Sequence, residues 1–203
     1  MTIFYELYGA LYVNITNKCP CSCVFCIRDH SDVIKDSDPL WFEDNEPTME
    51  DIKKDFERFD IEKYSEIVFC GYGEPTERMD ILVETAKFLR EKTNKKIRLN
   101  TNGLSDLICG RKNTACELKG LIDTVSISLN APDAKRFCEI TNSCFGEKSF
   151  DALLDFAKDA KKCLDKVIFT LVDVISKEEI EKCQKIADEM GIELRIREYI
   201  DTY

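Results

Sequence analysis

Strand-like and helix-like segments alternate along the whole chain, and this alternation limits the fold more than any other property. β-prone runs occupy residues 11–16, 66–70, 96–100, 124–129, 166–172 and 193–199, rich in branched and aromatic side chains. Amphipathic stretches separate them. Thr48-Met-Glu-Asp51 is a capping box opening a helix with the stripe Met49, Ile52, Phe56 and Phe59. Ser176-Lys-Glu-Glu179 opens another, whose stripe Ile180, Cys183, Ala187 and Met190 ends at Gly191. Phe150, Leu153, Ala157, Ala160 and Leu164 mark a third helix, residues 79–93 a fourth, and residues 107–120 a shorter, broken link. Six βα units in this order predict a parallel sheet with right-handed crossovers. They are too few to close the eight-stranded barrel. The expected fold is α/β, an open partial (β/α)6 barrel with parallel strands, with residues 1–203 as one domain.

In such sheets the chemistry gathers at the C-terminal strand ends, and the unusual segments of this chain fall there. Cys19-Pro-Cys-Ser-Cys23-Val-Phe-Cys26 follows the first strand, Gly71-Tyr-Gly73-Glu74-Pro75-Thr76 the second and Thr101-Asn102-Gly103 the third. Read as C-x3-C-x-aromatic-C, Cys19, Cys23 and Cys26 can hold three corners of a [4Fe–4S] cluster and leave one iron open. Zinc would want a fourth protein ligand. Cys21 sits too close along the chain to serve the same ion easily, and His30 would complete an unfamiliar framework. Cys21 is therefore read as a bystander and Phe25 as a shield for the cluster. The turn at Gly71 lacks the lysine of a phosphate loop, and Glu74 suits an ammonium group. Standing alone, it would pass for an ordinary strand-to-helix turn.

Period-two patterning adds a further clue. Ser126, Ser128 and Asn130 alternate with Val125, Ile127 and Leu129; Tyr12, Asn14 and Thr16, then Arg98 and Asn100, behave likewise. With helices on the apolar faces, these polar faces line a wet lumen. Arg195 and Arg197 in the last strand read equally as a clamp for carboxylate or phosphate or as a charged edge.

Composition sets outer limits. No apolar run reaches transmembrane length and no leader pattern opens the chain, so a cytoplasmic location is expected. Eleven irregularly spaced cysteines suggest reduced thiols and metal ligation, not a disulfide framework. Cys70, Cys163 and Cys183 read as ordinary buried thiols. Cys109, Cys116, Cys138 and Cys144 could hold an auxiliary cluster, although their spacing matches no familiar framework. A net charge of −10 disfavours membrane and nucleic acid, despite the basic group Lys95, Lys96, Arg98, Arg111 and Lys112. Residues 29–46 read as a solvated acidic loop above the cluster, a candidate lid.

Taken together, C-x3-C-x-Phe-C after the first strand and Gly-x-Gly-Glu-Pro after the second resemble the radical S-adenosylmethionine (SAM) superfamily, over about residues 11–199. More narrowly, Asn-Ile-Thr-Asn-Lys-Cys-Pro-Cys-Ser-Cys, Phe-Cys-Gly-Tyr-Gly-Glu-Pro-Thr and Val-Ser-Ile-Ser-Leu-Asn-Ala-Pro are similar to the TatD-linked radical SAM proteins. The resemblance implies a [4Fe–4S] cluster on Cys19, Cys23 and Cys26, and SAM as the second cofactor. It places Gly73 and Glu74, in the turn that begins at Gly71, at the SAM amino group. Ser126, Ser128 and Asn130, with Asn100 or Asn102, fall at the ribose or carboxylate, and Val172 at the adenine. The implied chemistry is one-electron cleavage of SAM to methionine and a 5′-deoxyadenosyl radical that abstracts hydrogen from a substrate. A low-potential donor such as ferredoxin or flavodoxin would supply the electron. Since the core fold uses the available length, a protein, peptide or nucleoside-like substrate is expected to cover the open side of the sheet. RNA is the less favoured option. The alternative is a non-catalytic iron–sulfur or zinc module that senses or delivers metal.

Overall fold

The chain doubles back on itself before the parallel sheet begins. In the computed structural model, which describes residues 1–29, 31, 33 and 37–199, Tyr8 and Gly9 have φ of 51° and 74°. Two successive left-handed residues make the tight turn of a hairpin, here joining β1 (Phe4–Leu7) antiparallel to β2 (Ala10–Val13). The parallel strands then follow as β3 (Glu66–Phe69), β4 (Lys96–Thr101), β5 (Thr124–Ser128), β6 (Lys166–Val172) and β7 (Glu193–Arg197). Sheet order is sequential from β1 to β7, and the two edges do not meet. The six parallel strands β2–β7 are the predicted ones. β1 is a seventh, missed because the usual hairpin signal is Asn-Gly or Asp-Gly and here Tyr8 takes the left-handed position.

Both predicted capping boxes are present. Thr48 Oγ1 accepts from Asp51 N at the start of α1 (Met49–Phe56), and Ser176 Oγ accepts from Glu179 N before α6 (Lys177–Met190). Gly191, at φ 59°, ends α6 in the left-handed region. α2 (Met79–Lys92) and α5 (Lys148–Cys163) carry the other two stripes, and α3 (Ser105–Cys109) with a short 3-10 turn fills the broken link. α4 (Ala134–Thr141) was not anticipated; Asp133 caps it by accepting from Arg136 N at 2.9 Å. Alternate strand residues, including Leu11, Ile67, Leu99, Ile127 and Phe169, are fully buried in the core. Part of the predicted wet lumen is closed by an ion pair. Arg98 meets Glu66 at 2.8 Å and donates to Asn100 Oδ1 at 2.7 Å. Others of the basic group are also paired: Lys95 with Glu62, Lys96 with Asp123 and Arg111 with Glu117.

One expectation about the cysteines is corrected. Cys116 and Cys163 are disulfide-bonded, with Cα atoms 5.2 Å apart, because α5 packs on the 3-10 turn that carries Cys116. That removes Cys116 from any auxiliary cluster and Cys163 from the free thiols. The bond joins positions 47 residues apart, a loop for which cross-linking contributes about 4 kcal/mol on the chain-entropy account. A Cys163→Ser protein should therefore unfold at clearly lower urea concentration than oxidised wild type, and a reductant should erase the difference. Cys183 is a buried thiol, as expected, pushed up to about 12 chiefly by burial. Among the described residues, no helix is long and apolar enough to cross a membrane.

Candidate functional site

Residues 14–18 carry the chain from β2 to the cysteine loop, and their side chains fasten two other segments beside it. Asn14 Nδ2 donates to Leu40 O at 2.8 Å, and Asn17 Nδ2 donates to Phe42 O at 2.8 Å. Thr16 Oγ1 donates to Glu46, which also pairs with Arg78. Leu40 and Phe42 are buried. The stretch 37–46 is thus anchored at Leu40 and Phe42 by the amides of Asn14 and Asn17, while Asp38, Glu43 and Asp44 stay exposed, so the expected solvated loop is solvated only in part. His30 lies outside the described residues.

Cys19, Cys23 and Cys26 are free, partly buried thiols on the wall of a cavity of about 280 Å³. Their loop is held by the C-terminal end of α4. Ser22 N donates to Thr141 O at 2.9 Å and Val24 N to Ile140 O at 2.9 Å. Cys144 N donates to Pro20 O at 2.8 Å, and Asn142 Nδ2 to Ser22 O at 2.9 Å. The sequence reading missed this clamp, whose only signal was the Asp133 cap ahead of Phe137 and Ile140. Cys21 is buried in the same cavity. Its contact with Cys19 lowers its thiol, while contact with Cys23 and burial raise it, to about 12. Contact with Cys21, then burial, pushes the Cys19 thiol upward. Ligands of this kind give up their protons when metal binds. Among the described residues no three Cys, His, Asp or Glu side chains are already gathered as a metal site. What fits a cluster with one open corner is the chemistry of the donor set, three soft thiols on one clamped loop at the wall of one cavity.

The glycine turn docks onto the segment leading to the cysteines. A Cβ at Gly73 would lie 2.3 Å from Thr16 O and 2.6 Å from Lys18 O, and one at Gly71 would lie 2.1 Å from Asn14 Oδ1. Glu74 N donates to Lys18 O at 2.8 Å. Asn14 Oδ1 is a buried side-chain oxygen without a hydrogen-bond partner among the described residues. It faces the Gly71 backbone, where a weak C–H contact is the one available.

The Glu74 carboxylate is 4% exposed and already encircled. Oε1 accepts from Thr76 N at 3.1 Å, Thr76 Oγ1 at 2.7 Å and Thr101 Oγ1 at 2.8 Å, and Oε2 accepts from Asn102 N at 2.7 Å. Burial pushes this carboxyl up and the four donors draw it down. Oε2 keeps room for one more donor. In Glu74→Gln, an amide NH2 would oppose either Asn102 N or the Oε1 donors, a loss of about 2 kcal/mol that urea unfolding would read.

Asn100, Asn102, Ser128, Asn130 and Val172 line the same cavity, as do Phe25, Gly71 and Gly73. Ser126 does not; it is buried deeper in β5. Asn130, at φ 53°, accepts from Val172 N at 3.2 Å and so ties the end of β5 to β6. The Cys70 thiol is raised by burial and drawn down by Asn100, Arg197 and Arg98. Cys70, Thr170 and Tyr72 are lining residues that pattern reading did not single out for the site. Of the two candidate clamp arginines, Arg197 lines the cavity and Arg195 is tied to Glu193 at 2.7 Å. A larger concavity of about 1080 Å³ runs along the β1 edge but contains none of the four loop thiols.

A family model described as the Radical SAM superfamily matches residues 13–190. Among solved structures, Streptococcus suis SuiB superposes with a TM-score of 0.66 and 20% identity, covering 96% of this chain and 40% of SuiB. SuiB bound to S-adenosylmethionine gives 0.59 and 22%, with 93% and 38% covered. Methylornithine synthase gives 0.68 and 13%, with 94% and 53% covered. At these identities the likeness is one of fold, and the chain spans well under two thirds of each structure's length. Comparison with curated proteins returns no match.

Proposed function

Because this chain belongs to the Radical SAM superfamily, whose enzymes use a [4Fe–4S] cluster and SAM, we propose that it cleaves SAM reductively and directs the resulting radical at a bound substrate. The observation that carries this reading is the shared cavity. Cys19, Cys23 and Cys26 face the same space as the Gly71–Glu74 turn and the polar ends of β4 and β5. Bound there, the cluster would supply one electron to the sulfonium, releasing methionine and a 5′-deoxyadenosyl radical.

The chain's own residues hold and orient. Cys19, Cys23 and Cys26 ligate the cluster, and Phe25 shields it from water. The remaining acceptor site on Glu74 Oε2 takes an ammonium hydrogen, while Gly71 and Gly73 keep the turn low enough for close approach. Asn102, Ser128 and Asn130, with Asn100, bind ribose or carboxylate, and Val172 packs on adenine. Ser126 has no part in this, being buried beneath the cavity.

We further read the chain as a TatD-linked radical SAM protein, with residues 1–203 forming one core domain. A ferredoxin- or flavodoxin-type donor would reduce it in the cytosol, where the thiol pool can open the Cys116–Cys163 bond. We read the open side of the sheet beside β7 as the face that a protein, peptide or nucleoside-like substrate covers. A metal sensor or delivery module would have no use for a built cofactor cavity. Electron paramagnetic resonance tests the reading: SAM added to the reduced, reconstituted protein should shift the cluster signal. An unchanged spectrum at saturating SAM would count against it.

A further inference from the structure

The chain has nine arginines, and 39 acidic residues against 29 basic ones make carboxylate partners plentiful. Eight of the nine use them. Arg28, Arg58, Arg78, Arg90, Arg98, Arg111, Arg136 and Arg195 each have a carboxylate oxygen within 3.9 Å. Arg197 is the exception among the described residues. Among the described residues it is also the one cation on the wall of the cofactor cavity, at the end of β7, and its charge reaches the Cys70 thiol within the lumen. Its neighbour Arg195 is exposed like Arg197 but is satisfied by Glu193 at 2.7 Å, so the missing carboxylate and the place on the cavity wall are what set Arg197 apart.

An unpaired guanidinium presents a planar fork that recognises carboxylate and phosphate through two parallel hydrogen bonds. We propose that Arg197 binds a carboxylate or phosphate group of the substrate. The proposal rests on the cavity being the SAM site. In that reading the ammonium of the methionine moiety meets Glu74, and its carboxylate would be met by the cluster or by Asn100, Asn102, Ser128 and Asn130 at the ends of β4 and β5. Arg197 arrives from the last strand, beyond Val172, so the oxyanion it receives belongs to the second reactant. Against a net charge of −10, a local cation is what an anionic substrate needs in order to enter.

Phenylglyoxal, which attacks unpaired guanidinium groups, gives a test that requires no turnover and so cannot fail for want of SAM cleavage. The cluster-loaded protein is labelled with and without SAM, the anion probes being added to the SAM-loaded sample, and each arginine is followed by peptide mass spectrometry. Arg197 should react first. Inorganic phosphate or succinate, used as probes of the two oxyanion types, should slow its labelling at least about fivefold relative to chloride of equal ionic strength. Protection by one probe alone identifies the anion type. Calorimetry with the protecting anion should show at least about fivefold weaker binding to Arg197→Ala than to wild type. No protection by either probe overturns the proposal. Protection by SAM but by neither anion also overturns it, because the partner is then the cofactor's own carboxylate.

Discussion

Gly73→Ala should cost this protein both stability and SAM chemistry, although the added group is a single methyl. The new Cβ would sit 2.3 Å from Thr16 O and 2.6 Å from Lys18 O, and neither atom can swing aside as a side chain would. Overpacking of this kind costs about 1–3 kcal/mol. Relief requires the turn and residues 16–18 to separate, breaking the Glu74 N to Lys18 O bond of 2.8 Å and moving the segment that leads into Cys19. A displacement of about 1 Å in a positioning segment costs about 100-fold in rate. Urea unfolding and 5′-deoxyadenosine formation would measure the two effects. Gly120→Ala is the useful control, since its Cβ meets nothing within 4 Å and only the strain of φ 74° remains.

Cys23→Ala should abolish SAM cleavage and sharply lower iron content after reconstitution while leaving the fold intact. Cys23 is a partly buried side chain on a loop whose backbone is held by Thr141, Ile140 and Asn142, and none of those bonds needs its thiol. Removing it leaves two of the three ligands, too few to hold a cluster with a single open corner. Cys21→Ala is the informative comparison. Cys21 shares the cavity and touches the thiols of Cys19 and Cys23, yet its place in the spacing makes it no ligand, so iron and activity should persist. Full iron and normal output in Cys23→Ala would refute the ligand assignment.

What pattern reading recovers here is whatever repeats or caps. The parallel strands β2–β7 declare themselves by runs of branched and aromatic residues, β2, β4 and β5 also by period-two alternation, and α1 and α6 by capping boxes whose hydrogen bonds are local. β1 escaped because Tyr8 took a left-handed φ that Asn, Asp or Gly normally fills. The cysteine motif and the glycine turn converge on one cavity, as their strand-end positions imply. Depth along a strand was not readable. Ser126 and Ser128 share a face, but one is buried in β5 and the other lines the site.

Long-range partners were equally hidden. The Cys116–Cys163 bond is one of many pairings that eleven cysteines allow. The α4 clamp on the cysteine loop uses backbone carbonyls, which carry no residue signature. Gly71 and Gly73 suggest close approach, and the structure identifies Asn14, Thr16 and Lys18 as what approaches. Glu74 is visible as a carboxylate, but not the four donors that hold it.

The central claim is that this cavity cleaves SAM at a cluster held by Cys19, Cys23 and Cys26. Anaerobic reconstitution, reduction with dithionite, addition of SAM and quantification of 5′-deoxyadenosine by mass spectrometry test it most directly. The wild-type protein should form 5′-deoxyadenosine and methionine in equal amounts, and Cys23→Ala should form neither. A wild-type protein carrying its full cluster, yet releasing no 5′-deoxyadenosine, would contradict the account.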